Sequence, residues 1–154
     1  MVRRKSTSRL SSIILAQADT TVGFISQDAK KLASIKSRPQ SKPFIKIYNS
    51  LLACESRIPH AKRKFLRRAK KTTFIVKNQA FRIVPHAKSS QILRDISWHY
   101  STSANESGKK FSIEFCEDKA DIIIEDSFGL KELQASKLIK LNNKKLRRLR
   151  WINF

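Results

Sequence analysis

Short apolar runs, separated by polar stretches or by glycine and proline, follow one another along the chain. Runs in which apolar residues are continuous or alternate predict strands over residues 12–17, 44–48, 73–77, 80–84, 98–101, 121–125 and 137–141. Helical composition predicts helices over residues 28–35, 60–71 and 89–96. The polar segments 18–21 and 102–108 are predicted to be loops.

The alternation of strands with helices predicts an α/β protein built on one twisted, mixed sheet. A chain of 154 residues suits a single domain, and no internal repeat divides it. We therefore predict a domain over residues 12–150, preceded by a basic extension over 1–11 and followed by a tail over 151–154. The polar loop at 18–21 directly follows a buried strand, which is where α/β proteins often bind ligands.

The charge of the chain is large and unevenly distributed. Lys and Arg number 33 against 12 Asp and Glu, and the formal net charge of +21 predicts a surface that attracts phosphates or another polyanion. No acidic residue occurs between Glu55 and Asp95, and a second basic cluster occupies residues 144–150. Within the first cluster, one helical stripe carries Lys64, Arg67, Arg68 and Lys71. Either cluster alone fits a solvated helix face or a tail, whereas together they predict contact with RNA that weakens steeply with salt.

Several classes of protein are excluded by what the sequence lacks. No apolar stretch approaches the roughly 20 residues that span a bilayer, and none resembles a secretion signal, so we expect a cytoplasmic protein without a membrane partner. Cys54 and Cys116 have no second ligand at metal-binding spacing and are interpreted as packing residues. No serine lies in a nucleophile elbow, and His60, His86 and His99 are scattered, as surface or packing residues are. We therefore predict neither a metal site nor a catalytic triad.

Two short motifs carry chemistry. In Lys36-Ser37-Arg38-Pro39 the proline disfavours helix at the residue before it, so the side chains of Lys36 and Arg38 are expected on one side of an extended segment. Such a pair of cations can bind a polyphosphate, and it also fits an ordinary basic helix end. Residues 101–108 (Ser-Thr-Ser-Ala-Asn-Glu-Ser-Gly) offer hydroxyl and amide groups, and Gly108 permits a tight turn. Taken alone, this segment fits a serine-rich loop equally well.

Three pieces, taken in order, resemble the YrdC-type threonylcarbamoyl-adenylate synthases. They are residues 18–23 (Ala-Asp-Thr-Thr-Val-Gly), the motif Lys36-Ser37-Arg38-Pro39 with Pro43, and the loop 101–108, which is the most specific of the three. Residues 135–139 resemble the serine-led strand of the family, and the arginine-rich end resembles its closing arginine, so the resemblance covers almost the whole chain. It implies the short, single-domain form, in which a twisted α/β sheet surrounds a concave, positively charged cavity.

The resemblance also implies a reaction. Members of the family act as nucleotidyltransferases that convert ATP, bicarbonate and L-threonine into threonylcarbamoyl-AMP and pyrophosphate, the first step towards threonylcarbamoyladenosine in tRNA. Holding the reactants and neutralising charge matter more for this chemistry than acid or base groups. The pyrophosphate leaving group implies Mg²⁺, which needs few protein ligands. A tRNA threonylcarbamoyl-transferase complex is the implied acceptor of the product, and tRNA or double-stranded RNA is the expected partner of the basic surface.

Carried over residue by residue, the resemblance implies two groups of site residues. The ATP-binding residues are expected to be Lys36, Arg38, Thr73, Ser103, Asn105 and Arg150. The threonine-binding residues are expected to be Thr20, Ser101 and Ser136. Arg147 is an alternative to Arg150 as the arginine that closes on the nucleotide.

The chain departs from the family pattern mainly on the side that binds threonine. Gln17-Ala18 stands where the family has Pro-Thr, Val22 stands where it has Tyr, and Ile47 replaces a histidine expected near the end of its strand. The Pro-Gly-Pro that precedes the central strand of the family is absent at residues 70–72. A noncatalytic RNA-binding protein that retains the fold is therefore the alternative function.

Overall fold

The computed structural model describes residues 11–85, 93, 96–125, 127–142 and 145–150. Residue 150 is described by its backbone alone. The strands of the described residues are β1 (Ile14–Gln17), β2 (Val22–Ser26), β3 (Ile45–Tyr48), β4 (Thr72–Val76), β5 (Gln79–Ile83), β6 (Trp98–Ser103), β7 (Ile122–Ile124), β8 (Lys137–Leu141) and β9 (Leu146–Arg150). They form one sheet in the order β7-β1-β2-β6-β3-β5-β4-β8-β9. The pairs β1–β7, β3–β5 and β4–β8 are parallel and the others antiparallel, which confirms the predicted mixed sheet.

The α-helices in the described part of the chain are α1 (Ala29–Ile35), α2 (Arg63–Arg68), which follows a 3₁₀ turn at His60–Lys62, and α3 (Ile113–Lys119). All three pack on one face of the sheet, here called the helix face. Leu32 of α1 and Cys116 of α3 pack in the cluster around Phe24, and Leu66 of α2 packs in the cluster around Phe74. Burial of these side chains stabilises the helices, which are too short to form alone.

The opposite face of the sheet, here called the cavity face, carries a different set of side chains. Cross-strand partners lie on the same face, and the register pairs Ile25 with Ser101 and places both His99 and Arg82 beside Ile47. These five residues line one cavity. The sheet therefore separates a helix-covered hydrophobic core from a face that holds buried polar groups.

Most of the predicted elements are confirmed, with small shifts in their bounds. The first helix begins after Asp28, whose side chain caps it by accepting a hydrogen bond from the Lys31 N–H. The helix predicted over 60–71 ends at Arg68, because the chain is extended at Ala69 and left-handed at Lys71. The helix predicted over 89–96 falls outside the described residues except at positions 93 and 96. The domain bounds remain a prediction.

Three elements were not predicted, namely β2, α3 and β9. β2 begins directly after the polar turn at 18–21 and includes Gly23, a residue that weakens a strand pattern in a sequence. Its glycine is required by close packing, because a Cβ at this position would lie 2.9 Å from the carbonyl oxygen of Thr102 on β6. The predicted strand at 98–101 continues to Ser103, since β2 pairs with it to that point.

Candidate functional site

The Lys36 side chain and the loop that follows β6 meet in the structure. Lys36 is the C-terminal cap of α1 and keeps a helical conformation, and Ser37 is left-handed with a φ of 50°, so the expected extended segment is wrong at these two residues. Only 3% of the Lys36 surface is exposed. Its Nζ donates hydrogen bonds to the carbonyl oxygen of Ser103 (2.8 Å), the Oδ1 of Asn105 (2.8 Å) and the carbonyl oxygen of Asn105. Two motifs more than sixty positions apart in the chain are thus joined by one ammonium group.

The loop has a shape fixed by its own hydrogen bonds. Asn105 Oδ1 accepts a hydrogen bond from the Ser103 hydroxyl (2.6 Å) as well as from Lys36, and its Nδ2 donates to the carbonyl oxygen of Lys109. Gly108 has a φ of 80°, so the turn that closes the loop uses a conformation that favours glycine. These hydrogen bonds therefore fix the conformation of the serine-asparagine loop at the end of β6.

Burial of Lys36 has an electrostatic consequence. Desolvation, together with the nearby positive charge of Arg38, lowers the pKa of Lys36 from 10.5 to about 8. The amine is then mostly protonated at pH 7 and titrates just above it. An anion placed beside the two cations would stabilise the charged form of Lys36.

Arg38 lies beside Lys36 and is held by different contacts. Its guanidinium stacks over the Phe44 ring at 4.6 Å from the centroid, and its Nη2 donates to the carbonyl oxygen of Pro43 (2.8 Å). Its Nε is buried and has no hydrogen-bond partner among the described residues. Lys36 and Arg38 thus supply two neighbouring positive charges, and the buried Nε of Arg38 has no hydrogen-bond partner in the described part of the chain.

A second group of polar residues lies in the cavity on the cavity face. Arg82 of β5 is 5% exposed, and its Nη2 lies 3.2 Å from Asp19 Oδ1, while its Nη1 donates to the Thr20 hydroxyl at 3.1 Å. Asp19 and Thr20 follow β1, so the predicted ligand-binding loop reaches the end of β5. Burial lowers the pKa of Arg82, and the charge of Asp19 opposes this shift.

Buried polar atoms without a partner are concentrated in this cavity. Three of them, Gln17 Nε2, Arg82 Nε and His99 Nδ1, have no hydrogen-bond partner in the described part of the protein, and all three residues line the cavity. Asp19 Oδ1 also lacks a hydrogen bond there, but it is ion-paired with Arg82. Unpartnered buried polar atoms are rare in folded proteins because each one costs free energy. Their convergence indicates a cavity that binds a polar ligand or ordered water.

His99 of β6 lines the same cavity as Arg82. It lies directly across from Ile47, the position at which the resemblance leads one to expect a histidine. An imidazole is thus supplied to the same cavity from the neighbouring strand. Burial, followed by the charge of Arg82, lowers the pKa of His99 to about 4, so the ring is neutral at physiological pH and can donate one hydrogen bond and accept another.

The two polar groups are adjacent because β6 contributes to both. Ser101 lines the cavity, and Ser103 contacts Lys36. Residues two apart on a strand lie on the same face and are separated by about 7 Å. The loop that holds Lys36 and the Arg82 cavity therefore lie next to each other along β6.

The remaining predicted site residues lie farther along the sheet. Thr73 is fully buried, and its hydroxyl shares a hydrogen bond of 2.7 Å with that of Ser136, so these two residues contact each other. Arg147 and Arg150 belong to β9, which stands five strands away from β6, at a distance of about 24 Å in a flat sheet. The role of a closing arginine remains a prediction.

Arg82 and His99 were not assigned to the site from the sequence, although one signal was present. Arg82 interrupts an apolar strand pattern whose neighbours Phe81 and Ile83 face the helix side, and a charge in a buried strand is rarely without a partner. Because Lys and Arg are frequent throughout the surrounding sequence, Arg82 did not stand out as a candidate site residue. No group of three or more potential metal-ligating side chains occurs among the described residues, and no helix among them is long and apolar enough to cross a membrane.

This sheet, with helices on one face and a polar cavity on the other, has the YrdC-type fold, and solved structures of that fold match most of the chain. P. abyssi Sua5 in complex with L-threonine matches with a TM-score of 0.71 at 19% sequence identity, covering 91% of this chain and 50% of that one. MTH1692 from Methanobacterium thermoautotrophicum matches with a TM-score of 0.65 at 20% identity, covering 93% of this chain and 81% of that one. E. coli YciO matches with a TM-score of 0.67 at 16% identity, covering 91% and 82%.

At these identities the likeness establishes the fold, and the predicted YrdC-like architecture is confirmed. The chain spans about half the length of the Sua5 chains that it matches. No protein-family model matches the sequence, and no curated protein matches it significantly.

Proposed function

We propose that this protein is a threonylcarbamoyl-adenylate synthase, which joins ATP, bicarbonate and L-threonine into threonylcarbamoyl-AMP and pyrophosphate. The observation that carries the proposal is the contact between the Lys36 ammonium and the loop at Ser103 and Asn105. It joins two of the three motifs on which the resemblance depends. The match to a structure of Sua5 complexed with L-threonine supports the choice of threonine.

The cation pair is the proposed nucleotide-binding part of the site. Lys36 and Arg38 neutralise the triphosphate, and the Asn105 amide, which gives one N–H to the carbonyl oxygen of Lys109, has a second N–H to donate beside it. ATP enters as its magnesium complex, in which phosphate oxygens and water hold the metal. Because Lys36 is already fixed by the loop, its charge is placed before the substrate binds, and little reorganisation is needed.

The Arg82 cavity is the proposed amino-acid part of the site. The Nε of Arg82, which has no hydrogen-bond partner among the described residues, and the neutral ring of His99 suit a carboxylate. The Asp19 carboxylate, whose Oδ1 is also ion-paired with Arg82, suits an ammonium group. Ile25 and Ile47 offer apolar contact to the threonine methyl group. A zwitterion in this cavity would satisfy the buried polar atoms that have no partner in the described chain.

The reaction follows from the adjacency of the two parts. The threonine nitrogen forms a bond to the carbon of bicarbonate with loss of water, which gives a carbamate. A carbamate oxygen then bonds to the α-phosphorus of ATP, and the bond to pyrophosphate breaks. Ser101 lies between the cavity and the loop, where it can donate a hydrogen bond to the carbamate. The protein accelerates the reaction by holding reactants and neutralising charge.

The direct test is the release of pyrophosphate from ATP by purified protein, measured with and without L-threonine and bicarbonate, with mass-spectrometric detection of threonylcarbamoyl-AMP. We expect release that requires both cosubstrates. Serine provides a matched control, since it retains the zwitterion and lacks only the methyl group. Pyrophosphate release that is independent of threonine, or binding of RNA without binding of ATP, would exclude the synthase and favour the noncatalytic alternative.

The lowered pKa of Lys36 predicts a pH dependence of ATP binding. Because the folded-state pKa is about 8, the ammonium is present at pH 7 and lost as the pH rises through 8. The dissociation constant for ATP, measured by calorimetry, is expected to rise roughly 10-fold between pH 7 and pH 9. The Lys36→Met variant should bind ATP weakly and without this dependence. A wild-type affinity that is flat over the same range would contradict the assignment of Lys36.

A further inference from the structure

Two basic clusters that are far apart in the sequence meet at one end of the sheet. Residues 67–71 (Arg-Arg-Ala-Lys-Lys), here called the basic ridge, lead from α2 into β4. Because β8 pairs with β4 and β9 pairs with β8, the C-terminal part of the chain is brought alongside, and the Lys137 N–H donates to the carbonyl oxygen of Lys71. Lys137 and Arg148 thereby line a groove together with Arg68, Lys70 and Lys71.

The floor of this groove is apolar and includes an exposed aromatic ring. Phe65 and Ile139 line it, and 39% of the Phe65 surface is exposed although the ring packs edge-on against Phe74. Cations beside an accessible aromatic ring are the combination with which proteins bind single-stranded nucleic acid, because phosphates pair with the cations and bases stack on the ring.

A second groove runs along the other side of the basic ridge. It is lined by Arg67 and again by Arg68, Lys70 and Lys71. Asp19 and Val84 line this groove and also the Arg82 cavity. The cationic surface therefore extends from the edge of the sheet to the mouth of the proposed amino-acid cavity, and Asp19, the acidic residue on this path, is already paired with Arg82.

The positive charge of the ridge is not neutralised within the described part of the protein. None of its Arg and Lys side chains forms an ion pair with a carboxylate that the structure describes. Acidic side chains are instead common in and around α3 and β7, and β7 lies at the opposite edge of the sheet from β9. Eight strand spacings separate these edges, or about 38 Å, which is several Debye lengths at physiological salt.

We propose that the basic ridge and its two grooves form an RNA-binding surface. Six cations line the grooves (Arg67, Arg68, Lys70, Lys71, Lys137 and Arg148), more than a single phosphate or free nucleotide can engage. RNA with an unpaired loop fits best, because its splayed bases can stack on Phe65, whereas a blunt duplex offers phosphates alone. The proposal does not depend on synthase activity, and it is tested by binding.

The test compares two variants that lose the same charge. The ridge variant carries Arg67→Gln, Arg68→Gln and Lys70→Gln, and the control carries Lys30→Gln, Lys110→Gln and Lys119→Gln. All six side chains are exposed, and Lys71 is left unchanged because its φ is positive. With a fluorescent RNA hairpin at 0.1 M salt, the ridge variant is expected to bind about 10- to 100-fold more weakly and to lose about 2 to 3 units of salt slope. The control should change less than about 3-fold.

Further measurements separate RNA from the other polyanions. Phe65→Leu keeps apolar packing and removes the aromatic face, so it is expected to weaken binding of the hairpin about 10-fold without weakening that of a blunt DNA duplex of equal charge. Circular dichroism and thermal unfolding verify that each variant is folded. Equal losses in the ridge and control variants, tighter binding of duplex DNA than of the hairpin, or tighter binding of polyglutamate would each overturn the proposal.

Discussion

Replacing Lys36 by Met is expected to lower the rate of threonine-dependent pyrophosphate release by about 10² or more, the usual effect of removing one preorganised charge contact. The substitution removes the positive charge that the Ser103–Asn105 loop holds while keeping a flexible side chain of similar length. Charge that develops on the leaving pyrophosphate then loses a partner that was fixed before the reaction began. Initial rates with saturating threonine and bicarbonate provide the measurement.

Two control variants separate the charge from the structural role of Lys36. Lys30→Met makes the same chemical change at an exposed position of the same helix and should leave the rate within about twofold. Lys36→Gln retains amide donors for the loop carbonyls but carries no charge, and it should be as slow as Lys36→Met. A Lys36→Gln enzyme with wild-type turnover would contradict the assignment, because the loop geometry alone would then suffice.

The strands that the sequence predicted well are those whose apolar pattern is continuous. β3, β4, β5 and β8 alternate or run apolar because they are internal to the sheet, with side chains buried on one or both faces. β9 was not predicted because three of its five residues are Arg and its partner strand in the described sheet is β8 alone. Its pairing is decided by backbone hydrogen bonds along an edge, which leave no periodic mark in the sequence.

α3 was not predicted from the sequence for a different reason. The segment 113–119 is acidic and presents one fully buried residue, Cys116, to the core, so its amphipathic pattern is narrow. The sequence does carry a signal for the start of this helix, because Ser112 is a capping residue and Glu114 places an acidic side chain in the first turn. Short helices of this kind depend on tertiary packing more than on intrinsic propensity.

The sequence predicted those parts of the candidate site that are contiguous motifs. The Lys36 motif and the serine-asparagine loop could be named because each is contiguous, and the structure brings them together. The Arg82 cavity could not be derived from the sequence, because it depends on register. His99 reaches the cavity by lying opposite Ile47, and Asp19 reaches Arg82 only once β1 and β5 are placed in the same sheet.

Replacing Arg82 by Met is expected to destabilise the protein by about 3–5 kcal/mol, because it leaves the largely buried Asp19 carboxylate without its counter-charge. The side chains of this pair are 6% and 11% exposed, so water cannot readily compensate for the loss. Asp19→Asn alone should also be destabilising, since the Arg82 charge would then be buried without a partner. Urea unfolding of both single variants and of the double variant Asp19→Asn/Arg82→Met provides the coupling energy of the pair.

The double variant distinguishes a structural ion pair from a threonine-binding residue. Because it removes both charges together, it should be more stable than the sum of the single effects allows, and folded protein can be assayed. If Asp19 and Arg82 bind the threonine zwitterion, the folded double variant should still bind ATP while its KM for threonine rises by on the order of 10². Arg57→Met, which removes an exposed arginine, is the matched control and should leave that KM unchanged. A double variant with the wild-type KM would show that the Asp19–Arg82 pair serves the fold alone, and the amino-acid part of the site would then have to lie elsewhere.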